Sequence, residues 1–405
     1  MAQQQLSTFD EALKIDYLPV VREQLENGTI LLNKIQRNER DVVGKRWQMT
    51  AHYKRNSGIG ARADGGSLPT AGYQSYKNPY DNVKYLYGRI QVSGPTMAAS
   101  KEPGAIVRAL ESEIKGVTAD LKKDVNYQLF NDGTSRRCLV NGDPGTGTTL
   151  TVDSPGAKYL YEGMVIDVID ASSGAVEDDA VVISSINAAG TELTVSAALD
   201  AAIEDNSWVV ADGSHDGAGV AASDSYEMMG LKGIVDDNTY VDTLHNLSRT
   251  SYSWWNCSTH STDDNSGTNR DLTLDLMQAS LTAVEKNGGK TDLIVTTPDL
   301  RDSYAALLVA DKRHVNTLDL DGGFKALEYS GIPVVADRDC TENTMYFLDT
   351  SHLFLFQTQG WDWMDKDGAI LSRVSGYDAY EAVLTWYANL GTDRPRAHSF
   401  LRDVK

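Results

Sequence analysis

Along this chain the apolar residues recur with two periods, and the switches between them divide it into segments. The strongest helical signal is over residues 103–131, where Val107, Leu110, Ile114, Val117, Leu121, Val125 and Leu129 fall at three- and four-residue steps and form one stripe. Pro103 suits the first turn and Gly133 lies where a stop would fall. At the α-helical rise such a helix is roughly 40 Å long, a spine across a plate more than one side of a globule. Residues 45–54 alternate, with Trp47, Met49, Ala51 and Tyr53 on one side and Arg46, Gln48, Thr50 and His52 on the other, which predicts a half-buried strand. A second strand is expected over 83–92, VKYLYGRIQV. The Gly-, Ser- and Tyr-rich linker between them has no helical period. Two long strands joined this way predict a protruding ribbon that is marginal alone and needs a partner surface.

The remaining segments follow the same logic. Residues 1–43 contain a predicted short helix, LPVVREQLENG, ended by Asn27-Gly28, and then LLNKIQRNERDVVG, too poor in apolar residues for a core of its own. Residues 139–225 hold five short β-type runs between Gly, Asn, Asp and Ser turns, a small barrel or sandwich that looks inserted. Over 271–355 helices alternate with apolar strands, with Thr297 as N-cap and Pro298 at the first helical position of the second helix. From 353 onward the pattern is mostly strand.

Charge changes this picture. The chain of 405 residues has a net charge of −20. Residues 34–90 carry eleven Lys and Arg against four Asp and Glu, a net of +7, which leaves −27 elsewhere. Residues 139–225 hold fifteen acids and one base, Lys158, a net of −14. A body this acidic repels phosphate, so a tight nucleic-acid groove is not expected, while a basic segment and an acidic body can attract each other between copies. No stretch approaches the roughly 20 apolar residues that span a bilayer. The N-terminal residues lack the basic and apolar regions of a signal peptide, so synthesis in a cytoplasm is expected. Cys138, Cys257 and Cys340 are far apart and read as buried thiols.

Candidate chemistry is thin. GDPGTGTT at 142–149 has phosphate-loop spacing from Gly142 through Gly147 to Thr149, but Thr148 stands where the lysine belongs and a strand pattern follows where a helix is needed. Cys257, His260, Asp263 and Asp264 lie close together in a polar stretch, too few soft ligands for zinc. No catalytic residue, cofactor site or metal site is expected. Trp254-Trp255, Trp361 and Trp363 read as core or interface anchors.

The order of these features resembles the major capsid proteins of tailed bacteriophages, of the Hong Kong 97 type. The residues that carry the resemblance are YLPVVREQLENGTILLNKIQRN in the arm, MMGLKGIVDDNTYVDTLHNLSRTSYSWWN at 228–256, DLIVTTPDLRDSYAALL at 292–308, GIPVVADRD at 331–339 and the closing GYDAYEAVLTWYANLGTDRPRAHSFLRDV. The resemblance implies an α+β capsid fold. Its parts are an N-terminal arm (1–43), an extended loop (44–95), a spine helix with peripheral domain (96–138), an inserted β domain (139–225), a peripheral return (226–270), an axial α/β domain (271–355) and closing strands (356–405). It also implies a non-enzymatic subunit, made in a bacterial host cytoplasm, that assembles with itself into pentamers and hexamers of a virion shell. The shell would enclose double-stranded DNA without reading its sequence, with portal and scaffolding proteins and a decoration protein as partners and no membrane. An encapsulin-type compartment shell, or a nucleotide-using enzyme built on the 142–149 loop, are the alternatives. The expected subunit-interface residues are Arg46, Trp47, Met49, Tyr53, Lys54, Arg55, Arg62, Tyr85, Tyr87 and Arg89. In this reading the cations meet a neighbour's carboxylates and the apolar residues supply salt-resistant burial.

Overall fold

The computed structural model describes residues 30–94, 103–310, 317–320, 324–365, 370 and 372–405. The expected helix before Asn27-Gly28 lies outside these residues. Helix α1 spans Pro103–Phe130, close to the predicted bounds. Its stripe is buried at Ile114, Leu121, Val125 and Leu129 and half-buried at Val117.

The stripe packs on the body sheet. That sheet runs in the order Gln36–Asn38, Leu353–Trp363, Ala379–Thr392, with Ser372–Arg373 extending it and Lys84–Ser93 on the other side of Ala379–Thr392. Lys84–Ser93 pairs antiparallel with Ala379–Thr392 over ten residues, from Lys84↔Ala388 to Ser93↔Ala379. Leu86, Gly88 and Ile90 face inward and Tyr85, Tyr87, Arg89 and Gln91 outward, the alternation a one-sided sheet requires. A side chain at Gly88 would come within 2.5 Å of Leu121 Cδ1, so the absent Cβ lets α1 lie against the strand.

This pairing corrects the expected ribbon. Residues 83–92 form a strand, but a body strand, and not the return leg for 45–54. The ribbon is made of Arg46–Gln48 with Tyr80–Asn82 and of Ala51–Lys54 with Ser75–Lys77, broken at Met49-Thr50. The return legs lie inside the Gly-, Ser- and Tyr-rich linker, where runs of three residues carry too little alternation to be read, while 83–92 alternates clearly.

Residues 138–211 form a six-stranded sheet, ordered Cys138–Leu139, Trp208–Ala211, Val165–Ile169, Val176–Ile186, Glu192–Val195, Thr149–Thr151. A Val140–Val152 bridge, with Asn141 N–H to Thr151 O and Asp153 N–H to Leu139 O, closes the first strand on the last. The result is a small barrel without open edges. Its own core includes Val140, Leu150, Ile166, Ile183, Leu193 and Val209.

The third layer is α/β. Helices α2, Leu274–Lys286, and α3, Pro298–Ala310, accompany a six-stranded sheet completed by Ser399–Leu401 from the chain's end. Thr273 and Thr297 cap the two helices, accepting from Leu276 N and Leu300 N.

Candidate self-assembly interface

The ribbon begins at a fixed root. Trp47 is fully buried, stacks on Phe356 at 4.1 Å with a 9° interplanar angle, and meets His245 edge-on at 4.7 Å. A Cβ at Gly391 would lie 2.7 Å from the Trp47 ring and 2.8 Å from Phe356, so a glycine is needed there. Trp47 therefore has no surface left for a neighbour. It bolts the ribbon to the body, which corrects its expected interface role. Trp255, Trp361 and Trp363 are likewise buried, and Trp254 is half-buried against Tyr53.

Beyond the root little is buried. Lys54, Arg55 and Arg62 are exposed, and Arg62 donates to the carbonyls of Ala61 and Ser67 in its own loop. Met49 is half-buried and Tyr53 37% exposed. Arg46 lies over the Tyr80 ring at 4.3 Å. Tyr85, Tyr87 and Arg89 are exposed but sit on the body sheet. The tyrosines are edge-on to Tyr387, and Arg89 is ion-paired with Glu381 of its own chain. The expected pairing of Arg89 with a neighbour is thus met inside the subunit. Sequence reading missed three residues of the loop, Ile59, Leu68 and Tyr73, which are 69%, 86% and 76% exposed. Their signal was an apolar residue standing alone in a Gly-rich run, which resembles linker noise. Large apolar side chains held in water on a segment with no core of its own are candidates for cover by another molecule.

The barrel joins the body through a charged neck. Arg137, just before the first barrel strand, bonds Asp124 of α1 at 2.8 Å and Glu227, on the way out, at 3.4 Å. Lys84 donates to the Ser225 carbonyl, and Ser135 Oγ to Ser214 O at 2.9 Å. Asp132, buried at the end of α1, holds Lys232 at 2.8 Å and Arg136 at 3.0 Å. Glu227 is buried and one of its oxygens has no partner. Burial outweighs the attraction of Arg137 and pushes its carboxyl up to about 8, with Asp124 and Asp132 adding repulsion. Between the unfolded value near 4.5 and about 8, the unfolded chain has released this proton while the folded one keeps it, so stability falls as pH rises through that window. Glu227→Gln is expected to lose less stability than the parent between about pH 5 and 8.5 in thermal melts. Parallel pH profiles would show that the neck does not hold this proton.

The enzyme-like motifs are ordinary turns. In the 142–149 loop Gly142 N–H donates to Asp205 and Gly145 N–H to Asp143, both at 2.7 Å, so carboxylates occupy amides a phosphate would need. His260 is bonded to Thr262 and Ser280, and Cys257 is buried in the body core. The three cysteines are free and buried. Among the described residues one acidic cluster, Asp167, Asp179 and Asp212, has cation-binding spacing, but Asp167 already accepts from Ala180 N and Gly213 N. No described helix is long and apolar enough to cross a membrane.

The chain is similar to a family model over part of its length and to solved structures in fold. Residues 202–373 match the family model described as SU10 major capsid protein, a match over less than half of the chain. The capsid asymmetric unit of cyanophage A-1(L) superposes with a TM-score of 0.57 at 17% identity, over 92% of this chain and 90% of that one. The SrpI encapsulin of Synechococcus elongatus PCC 7942 follows at 0.47, with 10% identity over 100% and 97%. Mycobacterium phage Bobi gives 0.44, with 9% identity over 93% and 90%. No curated protein matches the sequence significantly. The fold is that of phage capsid proteins, and the family match supports a tailed-phage major capsid protein, a component of the head shell.

Proposed function

We propose that the chain is the repeating subunit of an icosahedral phage head, assembled as pentamers and hexamers around double-stranded DNA. The observation that carries the reading is the ribbon: its root is bolted by Trp47, while the loop beyond Lys54 exposes Ile59, Leu68 and Tyr73 with no core of its own. A neighbouring copy supplies the missing cover, and head-to-tail contacts of this kind close into rings. The barrel faces outward, since fifteen acids over residues 139–225 would otherwise oppose DNA phosphates. An outward barrel also offers a decoration protein a seat, and portal and scaffolding proteins complete the assembly. Electron microscopy of the expressed protein tests the reading. Shells or five- and six-fold rings are expected, and a protein that stays monomeric at every concentration and salt overturns it.

The cations of the ribbon should steer this assembly. Lys54 and Arg55 are exposed at the point where the strand leaves the body. Exposed pairs contribute only about 0–1 kcal/mol each, and salt screens them. Reversal to Lys54→Glu with Arg55→Glu is expected to slow assembly at low salt, seen by light scattering, with circular dichroism of the subunit unchanged. The difference should shrink at high salt. Equal rates at both salts would place these cations in solvent in the shell.

A further inference from the structure

The body sheet ends on a long strand. Among the described residues Lys84–Ser93 pairs only with Ala379–Thr392, and the residues from Tyr85 to Val92 exchange no backbone hydrogen bond with any other described element. The other margins of the sheet are short, three residues in Gln36–Asn38 and two in Ser372–Arg373. An open edge is a row of backbone donors and acceptors, and proteins blunt such rows with proline, bulges or inward charges. This strand uses none of them along its length. It has no proline, and its inward face between the ends is Leu86, Gly88 and Ile90. Its ladder to Ala379–Thr392 keeps one register over ten residues, whereas Leu353–Trp363 shifts register twice against the same partner. Its two cations are engaged within the subunit, Lys84 with the Ser225 carbonyl and Arg89 with Glu381.

A second copy of the same strand fits this edge. Two copies related by a two-fold axis perpendicular to the sheet run antiparallel and keep their inward faces on one side. Residues opposite each other then share a face, so the numbers of each pair add to an even sum. Centring the axis on Gly88 pairs the strand from Lys84 to Val92 with itself. Leu86 then meets Ile90 on the buried side. On the open side Tyr85 meets Gln91, and Tyr87 meets Arg89, an aromatic ring beside a guanidinium. The neighbouring registers are worse. Centring on Arg89 sets two arginines against each other, and centring on Tyr87 lays Ile90 opposite Lys84.

We infer that the edge of Lys84–Ser93 is a two-fold interface with a second copy of this chain, paired about Gly88, so that two body sheets continue as one. The inference rests on the reading of the chain as a self-assembling subunit and adds a second kind of contact to it. Ribbon contacts run head to tail and make rings, whereas a two-fold pairing joins a copy in one ring to a copy in the next.

The test is register-specific cross-linking of the full-length chain. Positions 85 and 91 lie about 20 Å apart along the strand, too far for a disulfide within one copy. In the inferred register position 85 faces position 91 of the second copy at a Cα separation of about 4.5–5.5 Å, which a disulfide spans. Both side chains are exposed, and the native cysteines are buried, so the parent serves as the uncross-linked control. Under mild oxidation Tyr85→Cys with Gln91→Cys is expected to shift from monomer to dimer mass on a non-reducing gel, with the linked peptides identified by mass spectrometry. Neither single variant should shift, because each position lies about 20 Å from its own equivalent across the axis. An equimolar mixture of the two single variants should again give dimer, which keeps the test open if the double variant folds poorly. Shells in which the double variant and the mixture both stay monomeric on the gel overturn the pairing and leave the shell reading standing. A chain that never associates overturns both. Dimer from Tyr85→Cys alone would put the axis elsewhere on the strand and overturns the inferred register.

Discussion

Excision of residues 56–73 is expected to give a folded subunit that makes no stable shell. The cut leaves Arg55 and Gln74 as a two-residue turn between Ala51–Lys54 and Ser75–Lys77, which are already paired, with Lys54 opposite Ser75. Nothing in the body core is lost, because that core does not draw on these residues. What is lost is Ile59, Leu68 and Tyr73, the apolar surface the subunit leaves in water. At roughly 25 cal/mol per Å2, covering three such side chains contributes several kcal/mol to each contact, a loss that weak surface ion pairs do not replace. Size-exclusion chromatography and electron microscopy should show monomers or loose rings with a parent-like melting temperature. Normal shells from the excised chain would mean that the ribbon tip is a passive appendage.

Asp236→Ala should be the most damaging single change in the body. Asp236 is fully buried and accepts from Arg249 at 3.1 Å and Arg402 at 2.8 Å, both themselves buried. It also receives the backbone N–H groups of Asn238, Tyr240 and Val241. Arg249 reaches on to the carbonyls of Ile234 and Val241, so one carboxylate organises the return segment and ties it to the chain's last strand. Removing it leaves the buried Arg249 without its counter-ion and Arg402 with only the longer 3.4 Å pair to Asp237, and such losses cost about 3–5 kcal/mol. Denaturant unfolding should show a free energy of unfolding lowered by that amount, read as a lower midpoint at unchanged slope, and insoluble expression would agree with it. A loss below about 1 kcal/mol would mean that water replaces the carboxylate.

Much of the architecture was legible without coordinates because local patterns carry it. The helical stripe from Val107 to Leu129 placed α1, since a face that must bury repeats at the helical period wherever the chain then goes. The same holds for the caps Thr297-Pro298 and for the β runs between 139 and 225, whose turns recur at short intervals. The acidic body and basic 34–90 segment were also plain from composition. Together with the family resemblance, these features pointed to a self-assembling shell protein with no catalytic motif.

Pairing and burial were not legible, because both depend on residues hundreds of positions away. Trp47 looks the same in the sequence whether it faces a neighbour or Phe356, 309 positions on; only the body sheet brings Phe356 and Gly391 against it. Lys84–Ser93 alternates like a ribbon strand, yet its partner is Ala379–Thr392, chosen by the packing of α1 on Gly88. Arg89 is one of eleven cations over residues 34–90 until Glu381 arrives from the other end of the chain to neutralise it. Asp236 is one acid among many until Arg402 closes on it. The sequence by itself determined which segments are helix, strand and turn and where charge lies, since these follow from neighbours within a few residues. Which strand pairs with which, and which side chains remain in water for another copy to cover, was decided by the tertiary structure, because burial belongs to contacts between segments and not to any segment alone.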